Sequence, residues 1–204
     1  LAFQKQFNSF VKNTQIHILA RTSFAAAFQF GLAGLGITIV SVYRRESFCS
    51  HGLKFKNTLK SIGLCVLCFV PYIIFSAVTG QIESYLPFQN VWMTRGALAS
   101  GFPNNVIAMT IITLAWGFFE GFNYVVISDK INKRFPSKSK LLNWGAIACA
   151  VMCVLIHGMI GVTLEGVIEM LAVMIIIYGM LLVKESTGNA WGCVFIFVFI
   201  WNAF

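Results

Sequence analysis

Apolar residues run through this chain in six long stretches, and no other feature limits its fold as severely. The stretches are residues 22–43, 58–79, 105–128, 141–161, 162–183 and 189–204. A hydrocarbon core of about 30 Å takes about 20 helical residues to cross. Inside lipid, backbone amides have no partner but one another, so each stretch is expected to be a helix. Composition points the same way: 58% of the 204 residues are hydrophobic and 11% charged, with a mean hydropathy of +0.79. The expected fold is all-α, a polytopic membrane bundle of about six transmembrane helices forming one domain over residues 22–204. Residues 1–21 are polar around Phe3, Phe7, Phe10 and Val11. They are expected to form an interfacial amphipathic helix or a ragged end, and they lack the apolar run and small-residue cleavage site of a signal peptide.

The connections between the stretches differ in charge. Residues 44–57 and 129–140 are basic and turn-rich, whereas 80–104 is long and nearly uncharged. Placing the two basic connections in the cytoplasm puts Arg44, Arg45, Lys54, Lys56, Lys60, Lys130, Lys133, Arg134, Lys138, Lys140 and Lys184 on that side, eleven of the fifteen Lys and Arg. The other side keeps Lys5, Lys12, Arg21 and Arg95. That imbalance implies an integral, multi-pass protein with both chain ends outside. The net charge of +8 therefore reads as topology. Nucleic acid is excluded as a partner, because the cations lie in short connections and not on one face with interleaved aromatics.

Cysteine spacing suggests no metal or redox centre. Cys65 with Cys68 and Cys149 with Cys153 lack a second pair or a His cluster, and in apolar helices such residues act as small hydrophobes. Gly31 with Gly34, and Ala97 with Gly101, are expected to let helices approach closely. No cofactor is expected.

Polar groups at membrane depth are costly unless paired or wet, so they mark candidate sites. Glu120, His157, Glu165 with Glu169, and Asn202 are the candidates. Glu120 lies in WGFFEGFNYVVISDKINKRF, residues 116–135, where an amphipathic helix is expected to continue through Lys133 and Arg134 until Pro136 stops it. Counting about 1.5 Å per residue back to the basic edge puts Glu120, His157, Glu169 and Asn202 at roughly 21–26 Å, a depth at which they could share one layer. Glu165 lies a turn further out on the face of Glu169. An acid, an imidazole and an amide at one level suit a hydrolytic site: Glu120 takes a proton from water, and His157 orients that water or protonates the leaving group. A Glu/His pair that merely satisfies itself in the bundle is the structural alternative.

Three of these stretches together resemble the CAAX prenyl protease and bacteriocin-processing (CPBP, or Abi) family of glutamic-type intramembrane proteases. That family carries Glu-Glu-x-x-x-Arg, Phe-x-x-x-His and His-x-x-x-Asn/Asp on separate helices. CVLIHG, residues 153–158, puts His157 on the second motif's His, with Cys153 in place of Phe. In IIIYGMLLVKESTGNAWGCVFIFVFIWNAF, residues 175–204, Asn202 falls on the third motif's Asn and Val198 on its His. ESFCSHGLKFKNTLKSIGL, residues 46–64, is similar to the family's link into its next span. In the first motif, Glu120 matches either the first Glu, with Gly121 and Val125 replacing the second Glu and the Arg, or the second, with Phe119 and Tyr124 as the replacements. The first register keeps Tyr124 on the aromatic that often precedes the Arg, and is preferred.

The resemblance implies a metal-free endopeptidase in which Glu120 activates water, His157 assists and Asn202 donates to the oxyanion. Its substrate would be a membrane-associated peptide or protein, lipidated or not, met in the bilayer. Tyr124, Glu165 and Glu169 are secondary site candidates. Two other readings stand beside it: an inactive relative that binds a peptide, a lipid-modified tail or a membrane partner in an immunity or assembly role, and a small-solute or proton-coupled transporter using the carboxylates as a relay. Oligomeric state has no signature in the sequence.

Overall fold

A computed structural model describes residues 4–82, 84–139, 141–158 and 162–204. Phe3, Lys140 and the 161/162 boundary of the fourth and fifth expected spans lie outside them. Among the described residues every regular element is helical: α1 (Gln4–Lys12), α2 (Ile18–Ala33), α3 (Leu35–Tyr43), α4 (Thr58–Val78), α5 (Thr94–Ala99), α6 (Asn104–Ile112), α7 (Glu120–Arg134), α8 (Trp144–His157), α9 (Leu164–Thr187) and α10 (Trp191–Phe199), with a 3₁₀ turn at Phe48–His51.

Among the described residues, three helices are long and apolar enough to cross a membrane: Thr58–Val78, the continuous Asn104–Arg134, and Leu164–Thr187. A fourth is gained if α2 and α3, bent by 57° at their junction, count as one span. The bend falls at Gly34, whose φ of −122° leaves helical geometry, and glycine is a usual kink site. α8 and α10 have 14 and 9 residues, about 21 and 14 Å of helix, less than a full hydrocarbon core. Asn143 caps α8 by accepting from the Ala146 amide at 2.8 Å, and Gly158 ends it in the left-handed region at φ 65°, where a Cβ would be strained.

The core lies among α4, α7, α8, α9 and α10 around Phe69, Phe122, Phe197, Ile176, Ile177 and Met180, all almost inaccessible. A second cluster joins α1, α2, α5 and α6, with Val11 buried and Phe7 and Phe10 against Phe24, so α1 turns its apolar side onto the bundle. Cys65, Cys149, Cys153 and Cys193 are core side chains. Close helix approach occurs at Gly34, 2.9 Å from a Phe119 ring carbon if given a Cβ, but a Cβ on Gly31 or Gly101 would meet nothing within 4 Å. Tighter contacts between elements lie elsewhere, at Gly117, Gly145, Gly179 and Gly192.

Segment 52–61 is knitted to the turn between α9 and α10. The buried Asn189 amide donates to the carbonyls of Lys54 (2.5 Å) and Lys56 (2.9 Å) and accepts from the Trp191 amide. The Ala190 amide donates to the Gly52 carbonyl at 2.8 Å.

Candidate functional site

Glu120 stands where the third long helix returns to α geometry after a π-helical stretch, Thr113–Phe119. Such a widening displaces the side chains that follow it relative to a regular helix. The carboxyl is buried at 6% exposure, with two neighbours from two other helices. Its Oε2 accepts from the side-chain amide of Gln29 on α2 at 2.7 Å. Its Oε1 lies 3.8 Å from Nε2 of His157, the last residue of α8, a gap wider than a hydrogen bond.

The imidazole is fixed from its other side. Nδ1 of His157 lies 2.9 Å from the Cys153 carbonyl oxygen one turn back. A carbonyl only accepts, so Nδ1 carries the hydrogen and Nε2 is the nitrogen presented to Glu120. The ring also meets Trp201 edge-on at 6.1 Å. Trp201 stacks on Phe197 at 5.0 Å, and Phe197 lies against Tyr124 at 5.5 Å. This aromatic shelf from α7, α10 and the turn just after α10 supports the imidazole, which keeps 35% side-chain exposure.

Glu120, His157, Tyr124 and Gln29 border one cleft of about 490 Å³ that continues along α3 and α7 to Lys130. Asn202 borders another, of about 280 Å³, with Phe7, Trp92 and Trp116. Gln29 lines both. The backbone carbonyl of Asn202 accepts from the Asn90 amide at 3.1 Å. Glu165 is exposed and Glu169 half-buried on the first turns of α9, and neither borders the Glu120 cleft. The structure thus joins Glu120, His157 and Tyr124, and leaves Asn202, Glu165 and Glu169 outside that cleft. Among the described residues, no group of three His, Cys, Asp or Glu side chains is placed to hold a metal ion.

Sequence reasoning missed Gln29, whose signal was available: an amide between Phe28 and Phe30 inside an apolar stretch is the kind of buried polar group that needs a partner. It also missed a charged cluster at the basic end of the bundle. Asp129 pairs with the Lys184 ammonium and, at 2.8 Å, with Nδ1 of the buried His51. Nε2 of that ring lies 3.6 Å from Glu46, which pairs in turn with Lys130. The hydrogen bond from Lys130 holds the Glu46 carboxyl below its ordinary value, against a smaller opposing effect of burial. No protein-family model, curated protein or solved structure matches this chain.

Proposed function

We propose that the chain is a divergent intramembrane endopeptidase of the CPBP type, with Glu120 as general base and His157 as its partner. One observation carries the reading: a buried carboxyl and an imidazole of fixed tautomer, from different helices, face each other across 3.8 Å at the head of an open cleft. A water entering that gap can donate one O–H to Oε1 and the other to Nε2. As its oxygen bonds to the peptide carbonyl carbon, Glu120 takes its proton. Collapse of the tetrahedral adduct breaks the C–N bond, and the same proton passes to the leaving amine. Gln29 holds the other carboxyl oxygen, so Oε1 stays directed at the water.

In this reading α2 with α3, α4, the Asn104–Arg134 helix, α8, α9 and α10 form six membrane segments, with α8 and α10 short of a full crossing. Residues 44–57 and 129–140 lie in the cytoplasm. Support for a shared side comes from the cluster that brings Glu46 and His51 to Asp129, Lys130 and Lys184.

A second reading, an inactive relative that binds a membrane peptide, is favoured by the fate of two motif positions. Gly121 lies tight against Phe197 and Cys193, and Val198 presses on Gly117, so neither is in a place to supply an acid or an imidazole. The two are separated by incubating the full chain in lipid nanodiscs with membrane-embedded and prenylated peptides. Glu120→Gln and His157→Ala are expected to lower cleavage by about 10²–10⁴-fold while the helical fold is kept. Cleavage by Glu120→Gln at the parent rate would end the hydrolytic reading. Unaltered peptide capture with no cleavage by any form would support the second.

A further inference from the structure

The Glu120 cleft has a second end, and its chemistry differs from the first. From Glu120 the cleft follows α7 past Ile127 to Lys130 and Ile131, with Gly36, Ile37 and Val40 of α3 as its opposite wall. Ten residues separate Glu120 from Lys130, about 15 Å along a helix. That is half of a hydrocarbon core of about 30 Å, the depth of one leaflet's acyl chains. Val40, Leu32 and Ile156 on its rim are exposed, so the cleft opens sideways, where the bilayer's hydrocarbon would be.

The shallow end is cationic. Arg44 lies one turn beyond Val40 at the end of α3, and Lys133 and Arg134 follow Lys130 in the last turn of α7. Glu46 pairs with Lys130, and Asp129 with Lys184. Among the described residues, Arg44, Arg45, Lys133 and Arg134 form no ion pair with a carboxylate, which leaves that end with unbalanced positive charge. An apolar channel one leaflet deep with a cationic mouth matches a molecule that is apolar over one leaflet and anionic at its head.

We propose that the cleft is a binding site for an anionic membrane phospholipid, its phosphate at Arg44, Lys130 and Arg134 and one acyl chain lying along α3 and α7 with its end at Glu120 and His157. The lipid occupies the path a peptide would use to reach the acid, so it competes with any substrate. Binding of the lipid does not depend on the chain being a protease.

Native mass spectrometry of the purified full chain, equilibrated with phosphatidylglycerol or phosphatidylcholine of identical acyl chains, tests this without any peptide. Phosphatidylglycerol is expected to be retained at least ten-fold more strongly. Each cation beside an anionic headgroup is worth roughly five-fold in binding, so Arg44→Gln with Arg134→Gln should weaken phosphatidylglycerol about twenty-five-fold and leave phosphatidylcholine unchanged. Gly36→Leu fills the channel, and because a Cβ there meets nothing within 4 Å, the variant should fold and lose both lipids. Gly63→Leu on α4, with equally open space around its Cβ but outside the cleft, should lose neither. Equal retention of the two lipids, or full retention by Gly36→Leu, overturns the proposal. Lipid retention is read with no peptide present, so failed cleavage and failed lipid binding are read separately.

Discussion

Asp129 offers the sharpest test of how the basic end of the bundle is held. One carboxylate oxygen receives the Lys184 ammonium and the other faces Nδ1 of His51 at 2.8 Å, and the Asp129 and Lys184 side chains are each only 11% exposed. Asp129→Asn keeps the shape and removes the charge. Among the described residues, Lys184 then has only the exposed carboxylate of Glu185, 4.0 Å away. Breaking a buried pair by removing one partner costs about 3–5 kcal/mol, because the other charge stays desolvated. Here the residual exposure and Glu185 put the cost near the low end, about 3 kcal/mol, which is roughly two decades in the folded-to-unfolded ratio. Replacing both partners, Asp129→Asn with Lys184→Met, removes the stranded charge and should return to within about 1 kcal/mol of the parent. Lys184→Met alone also strands a charge, the Asp129 carboxylate, so the double-mutant cycle would then show a coupling larger than about 2 kcal/mol. Reversible unfolding in mixed micelles, followed by tryptophan fluorescence, gives all four corners of the cycle. A single variant as stable as the parent, or a double variant as unstable as the single, would refute the reasoning.

Glu46→Gln tests the neighbouring pair through pH. Because the folded carboxyl is held below its ordinary 4.5, chiefly by the Lys130 hydrogen bond, its contribution is full above about pH 4.5 and is lost as pH falls through the lowered value. The parent should therefore exceed the variant in stability at neutral pH and converge with it in acid, as read by unfolding midpoints from pH 7 to pH 3. Gln29→Leu removes the donor to Glu120; a hydrogen bond to a carboxylate is worth about 1.5–3 kcal/mol, so cleavage should fall roughly ten- to hundred-fold with the fold intact. Gly121→Glu should not raise cleavage and should destabilise by more than about 3 kcal/mol, measured by thermal unfolding, since overpacking there is joined by a second buried acid.

The long helices were legible because composition over about 20 residues decides them. Residues 58–79 became α4, and 162–183 became most of α9. Arg134 does end the third long helix, shortly before Pro136. Hydropathy carries no direction, so it could not show the turn at Gly34 or the end of α10 at Phe199, where Ile200 and Trp201 are as apolar as the helix before them. Depth counted along the chain has a different shortcoming. Counting residues set Asn202 and Glu169 level with Glu120, but a shared level does not say which cleft a side chain borders. Asn202, however, lies past the end of α10 and borders the other cavity. Glu120 and His157 were legible as ionisable groups in apolar helices. Asp129 and Lys184 were not, because a charge in a basic connection reads as solvated until a residue 55 positions away is folded against it.

The positions at which the chain differs from the first and third motifs of the family it resembles share a physical feature. A Cβ on Gly121 would lie 3.0 Å from the Phe197 ring and 3.1 Å from the Cys193 carbonyl, and one on Gly117 would lie 2.6 Å from a methyl of Val198. Val125 is fully buried. Along this line α7 and the π-helical stretch before it meet α10 through small residues and apolar side chains, so the space a second acid, an arginine or an imidazole would need is taken up by helix packing. Polar support for Glu120 comes from the opposite side instead, where α2 brings Gln29 to Oε2 and α8 brings His157 toward Oε1. Any chemistry at Glu120 must therefore draw its polar help from Gln29 and His157, while the α10 side supplies only the apolar support of Phe197 and Trp201 beneath the imidazole. Introducing an acid, an arginine or an imidazole at one of these positions cannot test the hydrolytic reading, because it breaks packing before it adds a catalytic group. Removing Gln29 can, because its amide reaches Glu120 from the edge of the open cleft, outside the packed interface.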